Sequence, residues 1–434
     1  MTTLLAVGSP TTNLSEAEVA RLTREALATL GAKRRVLAIP PDFTRANSRA
    51  GIITDAVAAE YGAALTDVLP ALGTHVPMSD AHIARMYPGT PRDRFRIHDW
   101  RNEVETIGIL PADFVKSVTG GVYDKPWPAQ LNRLVWNGGH DLILSIGQVV
   151  PHEVVGIANH TKNLFVGCGG KAGIDESHFI GACYGMERMM GRADTPVRRI
   201  LNEALLRFCG HLPIVFVLTV VGKPAPGERA DGDGLVTRGL FIGSGTECFD
   251  LAAKLSVQVN FIQLDEEPAK MVVHLDPEEF HTTWLGNKAI YRTRMAIATG
   301  GDLIVLAPGL THFGEDPGID RLIRRYGYRT TPEIMAAVRD NADLQGSLSA
   351  AAHLIHGSSE GRFTVTYCTP SAPGSLTPAE VRGVGYEWAD LGEMQRRYDP
   401  KRLIDGWNNI DGERIYYISN PALGLWAWKG RFPA

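Results

Sequence analysis

Between Pro151 and His178 the chain carries three histidines (His152, His160, His178), two lysines (Lys162, Lys171) and five glycines. Imidazoles move protons near neutral pH and ligate borderline divalent metals. A lysine amine can hold a cofactor covalently. Glycines at 167, 169, 170 and 173, beside Lys171, can let backbone N–H groups approach a phosphate. Upstream, Asp42-Phe43-Thr44-Arg45 and Gly73-Thr74-His75 add a carboxylate, a guanidinium and another imidazole. Read singly, each has a plain explanation: a loop histidine, a surface lysine, Asp42 as a helix cap, a glycine-rich turn. The spacing as a set carries the chemical reading.

Apolar runs place these residues. Arg35–Pro40 reads as a buried strand ending at Asp42, Leu65–Leu72 as one stopping at Gly73-Thr74-His75, and Asp141–Val150 as one running into His152. A helix is expected over 51–64 and a Ser79-initiated helix to about Tyr87. In parallel sheets ligands gather beyond the carboxyl ends of the strands, where Asp42, Arg45, His75 and His152 fall. Further strands are read at Leu212–Val221, Leu240–Gly245 and Asp302–Ala307, a loop at 222–234 and a helix from Thr246 to Leu255. The fold expected is α/β: two α/β domains with mostly parallel sheets, the cofactor and active site in the cleft between them. The N-terminal domain is read as 1–245, the C-terminal as 246–397, and 398–434 as a tail packing back on the first.

At 434 residues the chain exceeds one ordinary core, which supports two domains. A net charge of −4 gives no case for a nucleic-acid or membrane surface. Five scattered cysteines without a C-x-x-C pair fit reduced thiols, and with no signal-like start the expected location is cytoplasmic.

The chain resembles the nickel-dependent lactate racemase family, whose members carry a nickel-pincer nucleotide. His152, Lys162 and His178 follow that family's histidine–lysine–histidine spacing, and Lys162-Asn-Leu-Phe-Val-Gly167 its lysine-centred stretch. Asp42-Phe-Thr-Arg45 matches its D-x-T-R and Gly73-Thr-His75 its G-x-H, while Lys288 stands before Gly300-Gly301 like its substrate-side lysine. The resemblance implies a racemase or epimerase (an isomerase) inverting C2 of a 2-hydroxy acid by reversible hydride transfer to the pincer. It implies Lys162 as the attachment point, His178 as the nickel ligand and His75 and His152 as catalytic acid/base groups. Arg45 and Lys288 would hold the substrate carboxylate, and Asp42 and Lys171 the cofactor. The partners implied are a small 2-hydroxy acid and the cofactor-synthesis proteins; a homodimer stays open.

The sequence departs from the family on the substrate side. Ala158-Asn-His-Thr161 replaces a small-residue tract, adding His160 beside the cofactor, and Trp284-Leu285 replaces a tyrosine and a glutamine. Arg292, Arg294 and His312 are read as lining a pocket for a larger or more polar hydroxy acid. Two other classes compete: a zinc-dependent hydrolase or aldolase using His75, His152 and His178 as ligands, and a non-catalytic binding protein of the same fold. Gly243-Ser-Gly245 followed by Asp265 is an incomplete dinucleotide fingerprint, with Cys248 where the third glycine belongs.

Overall fold

The computed structural model describes residues 3–432 and divides into two compact units. One takes Met1–Ile180 and Met189–Asn260, the other Gly181–Arg188 and Phe261–Ala434.

The first unit is built on a six-stranded sheet in the order Thr3–Gly8, Val236–Gly243, Ile214–Gly222, Leu142–Gln148, Val36–Ile39, Leu65–Val68. The last four strands run parallel, and Thr3–Gly8 and Val236–Gly243 join antiparallel. Every residue of Val36–Ile39 and of Ile214–Gly222 is buried, as a sheet covered on both faces requires. The helix Ala50–Tyr61 and the Ser15-capped helix Glu16–Ala28 supply Ile53, Val57, Val19 and Leu27 to one core with Val36, Leu144 and Val217. Thr195 caps Pro196–Phe208, with proline in the first turn where no N–H is needed. The loop expected over 222–234 is tied by two buried arginines: Arg49 to Asp231 and Asp233, and Arg238 to Glu228.

In the second unit the sheet order is Glu387–Asp390, Thr364–Thr369, Asp302–Leu306, Lys270–His274, Glu413–Ile418, Gly406–Ile410. All pairings are parallel except the closing hairpin 406–418. The expected class of α/β units with mostly parallel sheets is therefore present. Among the described residues no helix is long and apolar enough to cross a membrane.

The expected boundaries need correction. The helix Thr246–Asn260 packs on the strands of the first unit, so the division falls after Asn260, not at 245. The tail expected on the first domain instead gives Glu413–Ile418 to the second unit's sheet and pairs Leu425–Trp428 with Phe261–Leu264. Its aromatic residues read as a docking face; strand pairing decided where it docks.

Candidate functional site

Val36–Ile39, Leu65–Val68 and Leu142–Gln148 are neighbours in the sheet, so their carboxyl ends deliver Asp42, His75 and His152 to one edge of the first unit. The parallel pairing continues past the strands, with Ala71 N–H donating to Pro40 O at 2.7 Å. Asp42 caps the turn Phe43–Ser48 through Thr44 N–H (3.1 Å), and its other oxygen accepts from His75 Nδ1 at 2.6 Å. A carboxylate only accepts, which assigns the neutral ring's proton to Nδ1 and its lone pair to Nε2. Burial raises the Asp42 carboxyl, but His75, Thr44 and Arg45 outweigh it and hold it below its ordinary value. Asp42, expected on the cofactor, thus has both oxygens engaged by protein groups.

His152 is buried and opens a tight hairpin in which Pro151–His152 pairs with Gly156–Ile157. Gly156 has φ +81°, and a Cβ there would lie 2.1 Å from Arg192 O, so the hairpin admits only glycine. The Val154 N–H donates to His152 Nδ1 at 3.1 Å, which assigns the proton of the neutral ring to Nε2. The two histidines therefore sit in opposite tautomers. Glu153 Oε2 lies 3.9 Å from His152 Nδ1.

Lys162 follows a strap whose Asn159 and His160 both have positive φ, +68° and +56°. It precedes a π-helical turn, Asn163–Gly167, an irregularity frequent at functional sites. Asn163 donates to Ile39 O (3.1 Å) and Ser145 Oγ (3.0 Å), fixing the turn to two of the strand ends. Burial, then the Arg45 cation, lowers the Lys162 amine to about 8, against the pull of Glu153 and Asp42. On the helix Lys171–Tyr184, His178 Nδ1–H donates to Ile174 O at 2.7 Å and leaves the Nε2 lone pair unprotonated. Burial lowers its pKa, and the Lys162 charge acts in the same direction. A histidine oriented by a carbonyl at one nitrogen is the usual state of a single metal-ligating imidazole.

Two solved structures share this architecture along nearly the whole chain. A protein of Thermotoga maritima solved by a structural genomics consortium matches at 22% identity and TM-score 0.80, over 98% of this chain and 100% of that one. The lactate racemase apoprotein of Thermoanaerobacterium thermosaccharolyticum matches at 16% identity and TM-score 0.70, over 97% and 94%. The chain has a lactate racemase-like fold. No protein-family model matches it, and no curated protein matches it in sequence.

Within this racemase-like fold, other expected residues are placed differently. The glycines serve close packing: a Cβ on Gly169 would sit 1.8 Å from Phe165 O, and one on Gly167 2.7 Å from Ala71 Cβ. The first amides of the following helix, Ala172 and Gly173, donate to Gln130 Oε1 at 3.0 and 3.2 Å, which corrects the reading of a phosphate cradle there. Lys171 is exposed and pairs with Asp175 one turn on. His160 stacks on Phe216 (3.8 Å) with Nε2 near Gly245 O, and burial lowers it to about 3. It is a core histidine. Lys288 belongs to the second unit, 3.6 Å from Glu279 and over the Phe280 ring.

The pocket reading of two arginines is corrected as well. Arg292 is buried, reaching Gly424 O, and buried Arg294 pairs with Glu187 and donates to Ser358 O. His312 is exposed beside Thr311, and Trp284 stacks on His353 at 4.4 Å. Among the described residues no three His, Cys, Asp or Glu side chains gather as a metal cluster, so His75, His152 and His178 do not form the zinc site of the hydrolase reading.

Sequence reasoning missed Glu153, Arg198 and His98. Glu153, next to His152, was legible as a neighbouring charge. Arg198 lies on an amphipathic helix, where arginine ordinarily reads as solvated. His98 donates to Gly169 O (3.0 Å) and accepts from Asn132 Nδ2 (3.0 Å), holding the glycine-rich segment from a distant loop that gave no signal.

Proposed function

We propose that the chain is an isomerase inverting C2 of a 2-hydroxy acid, with a nickel-pincer nucleotide tethered to Lys162 and His178 as the protein's nickel ligand. The observation that carries this reading is a half-buried lysine amine, lowered by burial to about 8, within electrostatic reach of a histidine whose Nδ1 is tied to a carbonyl. One protein donor without a surrounding cluster fits a metal whose other donors come from an attached group. When bound, that group supplies a carbon able to accept and return the C2 hydrogen as hydride.

This chain's residues handle the protons and the carboxylate. His75, held by Asp42, takes the 2-hydroxyl proton at Nε2 from one enantiomer. His152 works from the other face: as an imidazolium, with its Nδ1–H turned from Val154 to the Glu153 carboxylate, it returns a proton from Nε2 to the 2-oxygen and is left neutral with its proton on Nδ1. Arg45 provides the guanidinium fork for the substrate carboxylate.

The test is intact-protein mass spectrometry with metal analysis on protein co-produced with the cofactor-synthesis enzymes. A nucleotide-sized adduct on Lys162 with nickel supports the reading. A bare mass beside a control racemase that loads normally overturns it.

A further inference from the structure

The strap Ile157–Thr161 adopts a glycine-like conformation with residues that are not glycine. Asn159 and His160 are consecutive, and both occupy the left-handed region, where L side chains crowd the following carbonyl. Such a pair persists only when its surroundings over-determine it. Part of the hold is local. Asn159 Oδ1 accepts the His160 N–H at 2.6 Å, and the Asn159 amide lies against Gly147, where a Cβ would be 2.5 Å away.

The rest comes from the helix Pro196–Phe208. Arg198 is buried, with Nη2 donating to Ile157 O at 2.5 Å and Nη1 to Asn159 O (3.0 Å) and Thr161 Oγ1 (2.7 Å). Its guanidinium lies over the Phe249 ring at 4.3 Å, and the Asp250 carboxylate acts on it through space, with no direct salt bridge to it among the described residues. A buried cation used to hold two carbonyls and a hydroxyl of one short segment costs desolvation that a purely packed core avoids. Those contacts bracket the left-handed pair and end one residue before Lys162. The Thr161 hydroxyl passes the hold on to Asn202, and the Asn163 amide pins the other side of the lysine to the sheet.

We propose that Arg198 is a positioning residue for Lys162, clamping the left-handed Asn159–His160 strap from behind so that the lysine is presented to the residues around Asp42, His152 and His178. The inference rests on Lys162 being the attachment point, but the clamp itself is measurable in the bare protein.

The experiment compares wild type, Arg198→Met, Arg198→Lys and Arg198→Met/Asn159→Gly by hydrogen exchange and by the fraction of Lys162 carrying a cofactor adduct. Arg198→Met is expected to speed exchange of amides 157–163 by about tenfold or more, the scale of losing a hydrogen bond to a charged donor, with amides of Ile214–Gly222 unchanged. Its adduct fraction falls at equal folded fraction. Arg198→Lys restores part of both. Glycine at 159, which visits positive φ without strain, restores part of both in the Met background, a rescue that general loss of packing would not give. Unchanged exchange at 157–163 in folded Arg198→Met overturns the clamp. Loosened exchange with full loading overturns the positioning role. If wild type takes no adduct, the attachment reading fails and the positioning role with it, while exchange still decides the clamp. Should Arg198→Met not fold, Thr161→Val, which removes one clamp acceptor, is measured by both readouts in its place.

Discussion

The carboxylate of Asp42 and the Nδ1 of His75 are 2.6 Å apart, although 33 positions separate them in the chain. The contact exists because Val36–Ile39 and Leu65–Val68 are adjacent parallel strands whose ends rise together. It orients the ring and fixes its tautomer, leaving Nε2 as the free nitrogen.

Asp42→Asn should therefore lower racemisation of a 2-hydroxy acid by about a hundredfold while leaving nickel content unchanged, since proton transfer at one positioned group is worth at least that much. The folded Asp42 carboxyl lies below its ordinary 3.8, so its stabilising contribution is complete above that value and fades as pH falls below it. Urea midpoints of the variant should be less sensitive to acid than wild type in that window. An equally steep acid limb would count against the pairing.

His178→Ala should lose nickel, and His75→Ala and His152→Ala should keep it and lose turnover. Metal analysis and a chiral product assay on the three purified variants separate the roles. Loss of metal from either of the last two would mean that a ligand has been taken for a base.

Two buried histidines should make the protein sensitive to acid. Burial lowers His98 to about 4 and His160 to about 3, both below the ordinary 6.5. The unfolded chain protonates them as pH falls through 6.5 while the folded chain does not. Stability is thus complete above that value and falls toward the folded values, each histidine contributing about 1.4 kcal/mol per pH unit. His160→Asn, which tolerates the left-handed backbone, should remove about that much slope between pH 6 and 4. An unchanged slope in denaturant titrations would place the lability elsewhere.

Gly169→Ala should destabilise by about 2 kcal/mol or more, because its Cβ meets backbone and the turn must move. The same change should disturb Lys162 reactivity through the displaced Asn163–Gly167 turn. Thermal denaturation checks the first effect and labelling by a small amine reagent the second.

The apolar runs were enough to place the strands that carry Asp42, His75 and His152, because a doubly covered parallel sheet needs continuous apolar residues whatever its neighbours are. The spacing from His152 through Lys162 to His178 was likewise visible, being local to one segment. What the chain alone could not determine were partnerships across long separations. Asp42 meets His75, Gln130 takes the helix amides, Arg198 holds the strap, and the tail joins the second sheet. Burial also decided residues whose type left their place open: His160, Arg292 and Arg294 carry polar groups suited to a site yet are fixed in the interior. A side chain's type is written in the sequence, but its hydrogen-bond partner and its dielectric surroundings arise only when distant strands and helices pack.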